Sequence, residues 1–247
     1  MTYLMKKKIL VIGDSCRDVH VYCSCDRMSP DKPVPVLKIL DQNDNPGMAK
    51  NVYRNIKSLE DSCDIVTNSN WANITKTRYI HKSTNHMFFR LDSAENIKRF
   101  NIAKMDYNYD HVVISDYNKG FLTEEDILTI SSNHNSVFLD SKRILGDWAT
   151  KVRFVKINNF EYDRSKHCIP TILKDKIIKT AAEDGCYYLG KNYPVAQQEV
   201  IDVSGAGDSF LAGLVVEFSK SNDMEKAILF ANECASRVVG QKGVGII

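Results

Sequence analysis

The residues with the clearest chemical potential form a short glycine-rich turn that ends in an acid, Gly205-Ala206-Gly207-Asp208. Apolar residues recur at helical spacing over 210–218 and predict a helix that Ser204 can cap. The glycines let backbone N–H groups face a ligand at the helix N-terminus, where the helix dipole favours negative charge. Charge balance does not explain an acid at such an anion site. We therefore interpret Asp208 as a general base that takes a proton from a hydroxyl attacking a bound phosphate.

The same turn has a simpler interpretation, a capped helix that binds nothing, with Asp208 favoured in the first helical turn. The turn also lacks the Gly-Lys-Ser/Thr ending of a P-loop and the G-x-G-x-x-G spacing of a dinucleotide-binding turn. It therefore matches neither of the common phosphate-binding loops, and other parts of the chain must decide between the two interpretations.

The overall composition is that of a globular protein. A chain of 247 residues with 43% apolar and 26% charged residues can bury one substantial core and carry a small subdomain. A net charge of +2 does not favour nucleic acid or a membrane surface as the main partner. The apolar run at 9–12 is too short for a signal peptide, no run could span a bilayer, and seven irregularly spaced cysteines fit reduced thiols. We expect a cytoplasmic protein.

The order of predicted elements indicates an α/β fold. A buried strand at 8–12 is followed by extended stretches that resemble a flap on a main sheet, at 19–25, 34–40, 75–81 and 87–91. Further on, strands are predicted at 111–115, 137–139, 154–157, 177–179 and 199–201, and helices at 49–59, 123–131, 170–176 and 224–239. This alternation predicts a mainly parallel sheet covered by helices on both faces.

In such sheets ligands bind outside the carboxyl ends of the strands. Polar side chains lie at or just beyond several predicted strand ends, namely Asp14, Asp116, Asp140, Asn158 and Thr180. They are candidates for the same site as Asp208.

With Gly-Ala-Gly-Asp late in an α/β chain and Asp14 after the first strand, the sequence resembles the ribokinase-like (PfkB) family of carbohydrate kinases. Stretches at 13–18, 27–36, 46–52, 75–78, 90–92 and 115–120 are similar to its heptose 7-phosphate kinases, which occur joined to an adenylyltransferase. The resemblance covers essentially the whole chain. It implies one kinase domain over 1–247, with a three-layer α/β/α core and a small β-sheet lid formed by about 17–45 and 75–92.

The resemblance also implies a reaction: transfer of the γ-phosphoryl group of ATP, with Mg²⁺, to the anomeric hydroxyl of D-glycero-β-D-manno-heptose 7-phosphate. Asp208 matches the catalytic base, and Gly205, Ala206 and Gly207 match the anion hole. The residues implied for the sugar or sugar phosphate are Asp14, Asp18, Gly47, Asn51, Arg78, Arg90, Asp116 and Lys119. Those implied for the nucleotide are Asn158, Thr180, Gly185, Asn232 and Gly243, and Asn158 and Glu161 would hold Mg²⁺ through water.

The sequence departs from the family pattern in the predicted sugar loop. Met48 stands where family members usually have a second glycine, and Lys50 replaces a small residue just before Asn51. The segments at 67–74 and 161–177 are also shorter than in similar kinases. A kinase for another sugar, such as fructose or ribose, and a catalytically silent sugar- or nucleotide-binding protein therefore stay open as alternatives. Exposed edges of the lid strands predict a homodimer through the lids.

Overall fold

Twelve strands and five α-helices make up the regular structure of residues 7–196, 200–240, 243 and 245–247, which the computed structural model describes. The strands are β1 (Ile9–Gly13), β2 (Ser15–Met28), β3 (Pro35–Met48), β4 (Cys63–Thr67), β5 (Thr75–His81), β6 (Met87–Asp92), β7 (His111–Asp116), β8 (Val137–Ser141), β9 (Phe154–Asn158), β10 (Ile177–Thr180), β11 (Cys186–Tyr188) and β12 (Lys191–Tyr193). The α-helices are α1 (Ala49–Leu59), α2 (Glu124–Asn133), α3 (Asn159–Ser165), α4 (Ala206–Ser221) and α5 (Met224–Val239).

The main sheet has eight strands in the order β12-β11-β10-β9-β8-β7-β1-β4. All neighbouring strands from β10 to β4 are parallel, and the β11–β12 hairpin adds an antiparallel edge. Side chains alternate along β1, so that Ile9 and Val11 pack on one face and Leu10 and Ile12 on the other. Burial on both faces explains why this strand is apolar throughout.

Helices cover both faces of the main sheet. Val52 and Ile56 of α1 join Leu214 of α4 and residues of α5 in the core on one face. Ile127 and Ile130 of α2 pack into the core on the other. This arrangement confirms the predicted three-layer α/β/α core. Among the described helices, none is both long enough and apolar enough to cross a membrane.

A second, smaller sheet contains β3, β2, β5 and β6 in that order. Only the β2–β5 pair is parallel. Its first strand, β2, begins just after β1, and β3 runs directly into α1. The small sheet is therefore attached to the core at the carboxyl end of β1, the edge where ligands bind in parallel sheets.

Three local predictions differ from the structure. Val200 and Ile201 are not in a strand, because the amides of Ile201 and Asp202 donate to the carbonyl of Val239 at the end of α5; Glu199 lies outside the described residues. The helix expected at 170–176 is a 3₁₀ helix over Thr171–Lys176. The extended stretch expected at 34–40 continues to residue 48.

Candidate active site

The candidate site centres on Asp208, in the first turn of α4. Its side chain is almost fully buried. Asn51 of α1 donates its Nδ2 to Oδ2 of Asp208 at 2.9 Å, and the Tyr117 hydroxyl donates to Oδ1 at 3.0 Å. Burial raises the pKa of Asp208 to about 6; the Asn51 hydrogen bond opposes this shift and the nearby Asp140 adds to it. A carboxyl group that titrates near neutrality is suited to accept a proton.

The turn before Asp208 leaves backbone N–H groups without a side-chain cap. Gly205 occupies the N-cap position with a left-handed φ of 84°, which glycine adopts at little cost. Ser204, expected to cap the helix, does not, because the glycine takes that position and the Ser204 amide bonds Asp202. A Cβ added to Gly207 would lie 2.9 Å from Nζ of Lys156. The amide of Ala206 donates to the carbonyl of Val203 at 3.2 Å. The turn therefore offers its other first-turn amides to an anion and has a cation against Gly207.

Lys156 belongs to a buried charge cluster at the ends of β8 and β9. Its Nζ lies 2.9 Å from Oδ2 of Asp140, and Nζ of Lys142 lies 3.2 Å from Oδ1. Lys142 also bonds Oε1 of Glu161 at 2.6 Å. Despite burial, the two lysines hold the pKa of Asp140 below its usual range. Asp140 and Glu161 likewise hold the pKa of Lys142 above the usual lysine value, also despite burial. Asp140 and Lys142 are therefore both ionised.

Asn158 and Glu161 form a reciprocal cap at the start of α3. Oδ1 of Asn158 accepts from the Glu161 amide at 2.8 Å, and Oε2 of Glu161 accepts from the Asn158 amide at 3.1 Å. This capping box explains a seven-residue helix that the sequence pattern did not predict. Glu161 is buried beside the cluster, and its carboxylate is a hard oxygen donor of the kind that Mg²⁺ prefers. Both Glu161 oxygens are also bonded, to Lys142 and to the Asn158 amide, so the pair fits a magnesium ion held through its waters and not by direct ligation.

A cavity of about 160 Å³ opens beside Asp208. Its wall on the small sheet carries one acid and three cations, namely Asp18, Lys76, Arg78 and Arg90. They share a face because Asp18 pairs with Lys76 across β2 and β5, and Arg78 pairs with Arg90 across β5 and β6. Met48, Tyr117, Ser204 and Gly205 complete the lining. The cavity therefore places positive charge opposite the carboxyl group of Asp208.

The cations of this wall differ in how they are paired. Nη1 of Arg78 contacts Oδ1 of Asp18 at 2.6 Å, with both side chains mostly buried. Arg90 is about half exposed and bonds Asp92 with two nitrogens. Lys76 forms no ion pair with any residue that the structure describes. Lys119, also expected to contact the substrate, pairs instead with Glu95 at 2.7 Å and does not line the cavity.

Asp14 and Asp116 do not line the cavity either. Asp14 is fully buried, and its two oxygens accept from the backbone amides of Tyr117, Lys119 and Phe121. Asp116 accepts from Ser141, Arg143 and the Asn118 amide. These bonds fix the loop after β7. The two aspartates therefore hold this loop and its Tyr117, and their contact with the substrate stays a prediction.

The predicted sugar loop spans the end of β3 and the start of α1. A Cβ added to Gly47 would overlap Oδ2 of Asp18, so that carboxylate would have to move. Met48 is buried, lines the cavity, and has φ 58° and ψ −135°, a conformation that only glycine adopts easily. Lys50 turns elsewhere, with Nζ 4.2 Å from the ring centre of Trp71. Of the two departures from the family pattern, Met48 alone reaches the cavity.

The remaining predicted nucleotide residues lie along the far end of the main sheet. Thr180 ends β10, and Gly185 has φ 84° in the turn to β11. The side-chain amide of Asn232, on α5, donates to the carbonyl of Tyr193 at 2.9 Å. The backbone amide of Gly243 donates to Oδ2 of Asp202 at 3.1 Å. None of the four lines the cavity beside Asp208.

Sequence reasoning missed three residues of the site, Lys76, Tyr117 and Lys156. Lys156 had a readable signal, because it is a lysine inside an otherwise apolar strand. Lys76 alternates with Arg78 on one face of a predicted strand, which also could have been read. Tyr117 had no such signal, since its position depends on Asp14 from a distant part of the chain.

The three-layer core with a small sheet at its ligand-binding edge is the ribokinase-like fold. Ribokinase from Thermotoga maritima matches it with a TM-score of 0.70, covering 96% of this chain and 94% of that one at 14% identity. A nucleoside kinase from Methanocaldococcus jannaschii, an archaeal member of the ribokinase family, also has a TM-score of 0.70, covering 97% and 94% at 21% identity.

Sequence comparison then identifies the family. The pfkB family of carbohydrate kinases matches residues 12–247, and the chain belongs to that family as a carbohydrate kinase. The bifunctional protein HldE of Hydrogenovibrio crunogenus is 31% identical over 98% of this chain and 61% of its own length. HldE of Helicobacter pylori strain J99 is 30% identical over 96% of this chain and 64% of its own length. The chain thus spans less than two thirds of these relatives.

Proposed function

We propose that this carbohydrate kinase transfers the γ-phosphoryl group of ATP to the anomeric hydroxyl of D-glycero-β-D-manno-heptose 7-phosphate. One observation carries the proposal: a single cavity has Asp208 on one side and Lys76, Arg78 and Arg90 on the other. Asp208 can activate a hydroxyl, and the cations can bind a phosphate already present on the acceptor. The likeness to HldE over nearly the whole of this chain supports a heptose phosphate as that acceptor.

In the proposed reaction, Asp208 takes the proton of the acceptor hydroxyl while the hydroxyl oxygen attacks the γ-phosphorus. A new O–P bond forms, the bond to the bridging oxygen of ADP breaks, and that oxygen leaves with the bonding electrons. The amides of Gly205 and Gly207, and that of Ala206 once it releases the Val203 carbonyl, would stabilise the charge on the moving phosphoryl group. Lys156 adds a buried positive charge against the same turn.

At the nucleotide end, Glu161 and Asn158 would hold Mg²⁺ through water. When bound, the ion neutralises charge on the phosphates. Lys142 bonds Glu161 at 2.6 Å and keeps that carboxylate oriented. Thr180, Gly185, Asn232 and Gly243 stay as the predicted contacts for the rest of the nucleotide.

At the acceptor end, Asp18 and Asn51 are the proposed sugar-binding groups, with Gly47 giving the backbone close access to Asp18. The small sheet would act as a lid that excludes water. In support, Nδ2 of Asn85, in the turn after β5, donates to the carbonyl of Ile201 at 3.0 Å. This bond links the small sheet to the segment that leads into the glycine turn.

The homodimer through the lid also stays a prediction. Phe89 and Leu91 flank Arg90 in β6, so their side chains point away from the cavity. Both are exposed, and Phe89 stacks on Tyr79 with ring centres 4.6 Å apart. A second copy of the sheet would bury this apolar surface.

An acceptor panel tests the proposed function. Purified protein with ATP and Mg²⁺ is given heptose 7-phosphate, the same heptose without its phosphate, fructose or ribose, and ADP is measured. We expect the highest kcat/KM with heptose 7-phosphate. Without the 7-phosphate, kcat/KM should fall by at least 100-fold, because the three cations of the cavity would have no phosphate to bind. Faster turnover of fructose or ribose would replace the proposed substrate, and heat-stabilisation by ATP and sugar without any turnover would overturn catalysis.

A further inference from the structure

Two donors from different elements hold the carboxylate of Asp208. Asn51, at the start of α1, bonds Oδ2, and Tyr117, after β7, bonds Oδ1. We propose that Tyr117 is a positioning residue whose hydroxyl orients the Asp208 carboxylate and stabilises its anionic form for the acceptor hydroxyl. The inference rests on the function proposed above, since it assigns a task in that reaction to a residue with no role yet.

The position of Tyr117 is fixed by the core and not by the ligand. Its backbone amide donates to Asp14 at 2.8 Å, and Asp14 is itself fully buried at the end of β1. Two lysines lie near the aromatic ring: Nζ of Lys76 is 5.7 Å from the ring centre, and Nζ of Lys142 is 5.1 Å from it. The ring therefore stands at the boundary between the acceptor cavity and the buried charge cluster.

The hydroxyl of Tyr117 acts on a carboxyl group with several charged neighbours. Asp140 and Lys142 face Asp208 from the end of β8, Lys156 faces it from β9, and Asp18 and Arg78 line its cavity from the small sheet. Burial and Asp140 oppose the anion, whereas the lysines favour it. Against this background, Asn51 and Tyr117 are the donors that hydrogen-bond the carboxylate directly.

Tyr117 cannot replace Asp208 as the base. Burial and the neighbouring carboxylate raise the pKa of Tyr117 well above its ordinary value. Its hydroxyl keeps its proton near neutral pH and stays a donor. Because a carboxylate oxygen has two lone pairs, Oδ1 can keep the Tyr117 bond and still accept from an acceptor hydroxyl.

The Tyr117→Phe variant tests this role, because it removes the hydroxyl and keeps the ring. The acid limb of kcat/KM for the wild type should fall near pH 6, where Asp208 titrates. Loss of a hydrogen bond to the anion should move that limb up by about one pH unit. Activity at pH 8.5 should recover to within about threefold of the wild type, because Asp208 is then ionised in both proteins.

Tyr109→Phe is the matched control, since the Tyr109 hydroxyl also donates to an aspartate, Asp64 at 3.1 Å, outside the site. Its acid limb should coincide with that of the wild type. A fall in Tyr117→Phe activity by the same factor at every pH would overturn the proposal, because purely structural damage does not follow the ionisation of Asp208. An unchanged acid limb would overturn it too.

A second measurement does not need turnover. Carboxyl carbon NMR of protein labelled at aspartate, with the Asp208 signal assigned from Asp208→Asn, gives the titration of that group directly. The midpoint should rise by about one pH unit in Tyr117→Phe and stay unchanged in Tyr109→Phe. If no sugar is phosphorylated by the wild type, the proposed function fails, and this titration still decides whether Tyr117 controls Asp208. An unshifted midpoint rejects the inference.

Discussion

The two ends of the candidate site are built in different ways. At the phosphoryl end, Lys156 is 4% exposed and bonded to an equally buried Asp140, and both project from strands of the core. At the acceptor end, the cations project from the small sheet, and the side chain of Arg90 is 48% exposed. Buried partners fix geometry strongly, whereas exposed pairs fix it weakly. The comparison places the most strongly fixed geometry in the rigid core and the most adaptable contact, that of Arg90, in the appended sheet.

The largest effect should follow from removing the proposed base at the phosphoryl end. In Asp208→Asn the amide cannot take the acceptor proton, so kcat should fall on the order of 10³-fold, with ATP binding retained. Steady-state kinetics and heat-stabilisation by ATP measure the two quantities. A variant that keeps more than a tenth of wild-type kcat would show that Asp208 is not the base.

The same variant should also gain stability at high pH. The folded-state pKa of Asp208 is raised above its unfolded value, so its contribution is present at low pH and is lost as pH rises from about 4 through about 6. Above pH 6 the buried anion costs on the order of 3 kcal/mol, which Asp208→Asn avoids. Urea unfolding should therefore show the variant more stable at pH 8 and equal to the wild type at pH 4.

The next largest effect should come from the cation against the glycine turn. Lys156→Met should lower kcat by about 100-fold and leave the acceptor KM nearly unchanged, because the lysine acts on the phosphoryl group. Asp140 keeps Lys142 as a partner, so the fold should survive with a loss of about 3 kcal/mol. Lys179→Met, on the neighbouring strand with its Nζ against Tyr187, is the control and should leave kcat unchanged. Equal kcat in the two variants would contradict the assignment.

The sequence predicts some of the features behind these effects and not others. The helix after Asp208 and the glycines before it are local features, and helical periodicity reveals them. The contact between Asp140 and Lys156 depends instead on the register of β8 against β9, where the two residues are direct neighbours. No local pattern specifies that register.

The roles of the strand-end aspartates show the same limit. Their place at the carboxyl edge of the sheet follows from the strand pattern. Whether each faces a ligand or the protein depends on loops far along the chain, as when Asp14 binds the amides of Tyr117 and Phe121. The edge of the sheet was thus predictable, and the direction of each carboxylate was not.

At the acceptor end, a smaller effect limited to binding is expected. Arg78→Ala should raise the KM for a phosphorylated acceptor by about 10- to 100-fold and change kcat little, because the arginine is distant from the transferred group in the proposed reaction. Arg17→Ala is the matched control. Arg17 lies on β2, next to the β5 strand that carries Arg78, and it also pairs with an aspartate, Asp44 at 3.4 Å, outside the cavity. A decrease in kcat that exceeds the increase in KM would contradict the proposed division of roles between the two ends.

The smallest effect should appear at Met48, where the acceptor end is strained. With φ 58° and ψ −135°, any residue with a Cβ costs on the order of 1 to 3 kcal/mol there. Met48→Gly and Met48→Ala both lose the buried side chain, but only the glycine variant relieves the strain. We expect Met48→Gly to be more stable than Met48→Ala by about 1 kcal/mol in urea unfolding.

That order is the reverse of the usual one, since glycine in an ordinary helix is less stable than alanine by about 1 kcal/mol. Ala235→Gly within α5 provides this normal reference in the same protein.

Both Met48 variants also widen the cavity, so each should discriminate less between phosphorylated acceptors of different size. If Met48→Ala proves the more stable variant, the strain does not exist; if acceptor preference stays unchanged, Met48 does not shape the acceptor end.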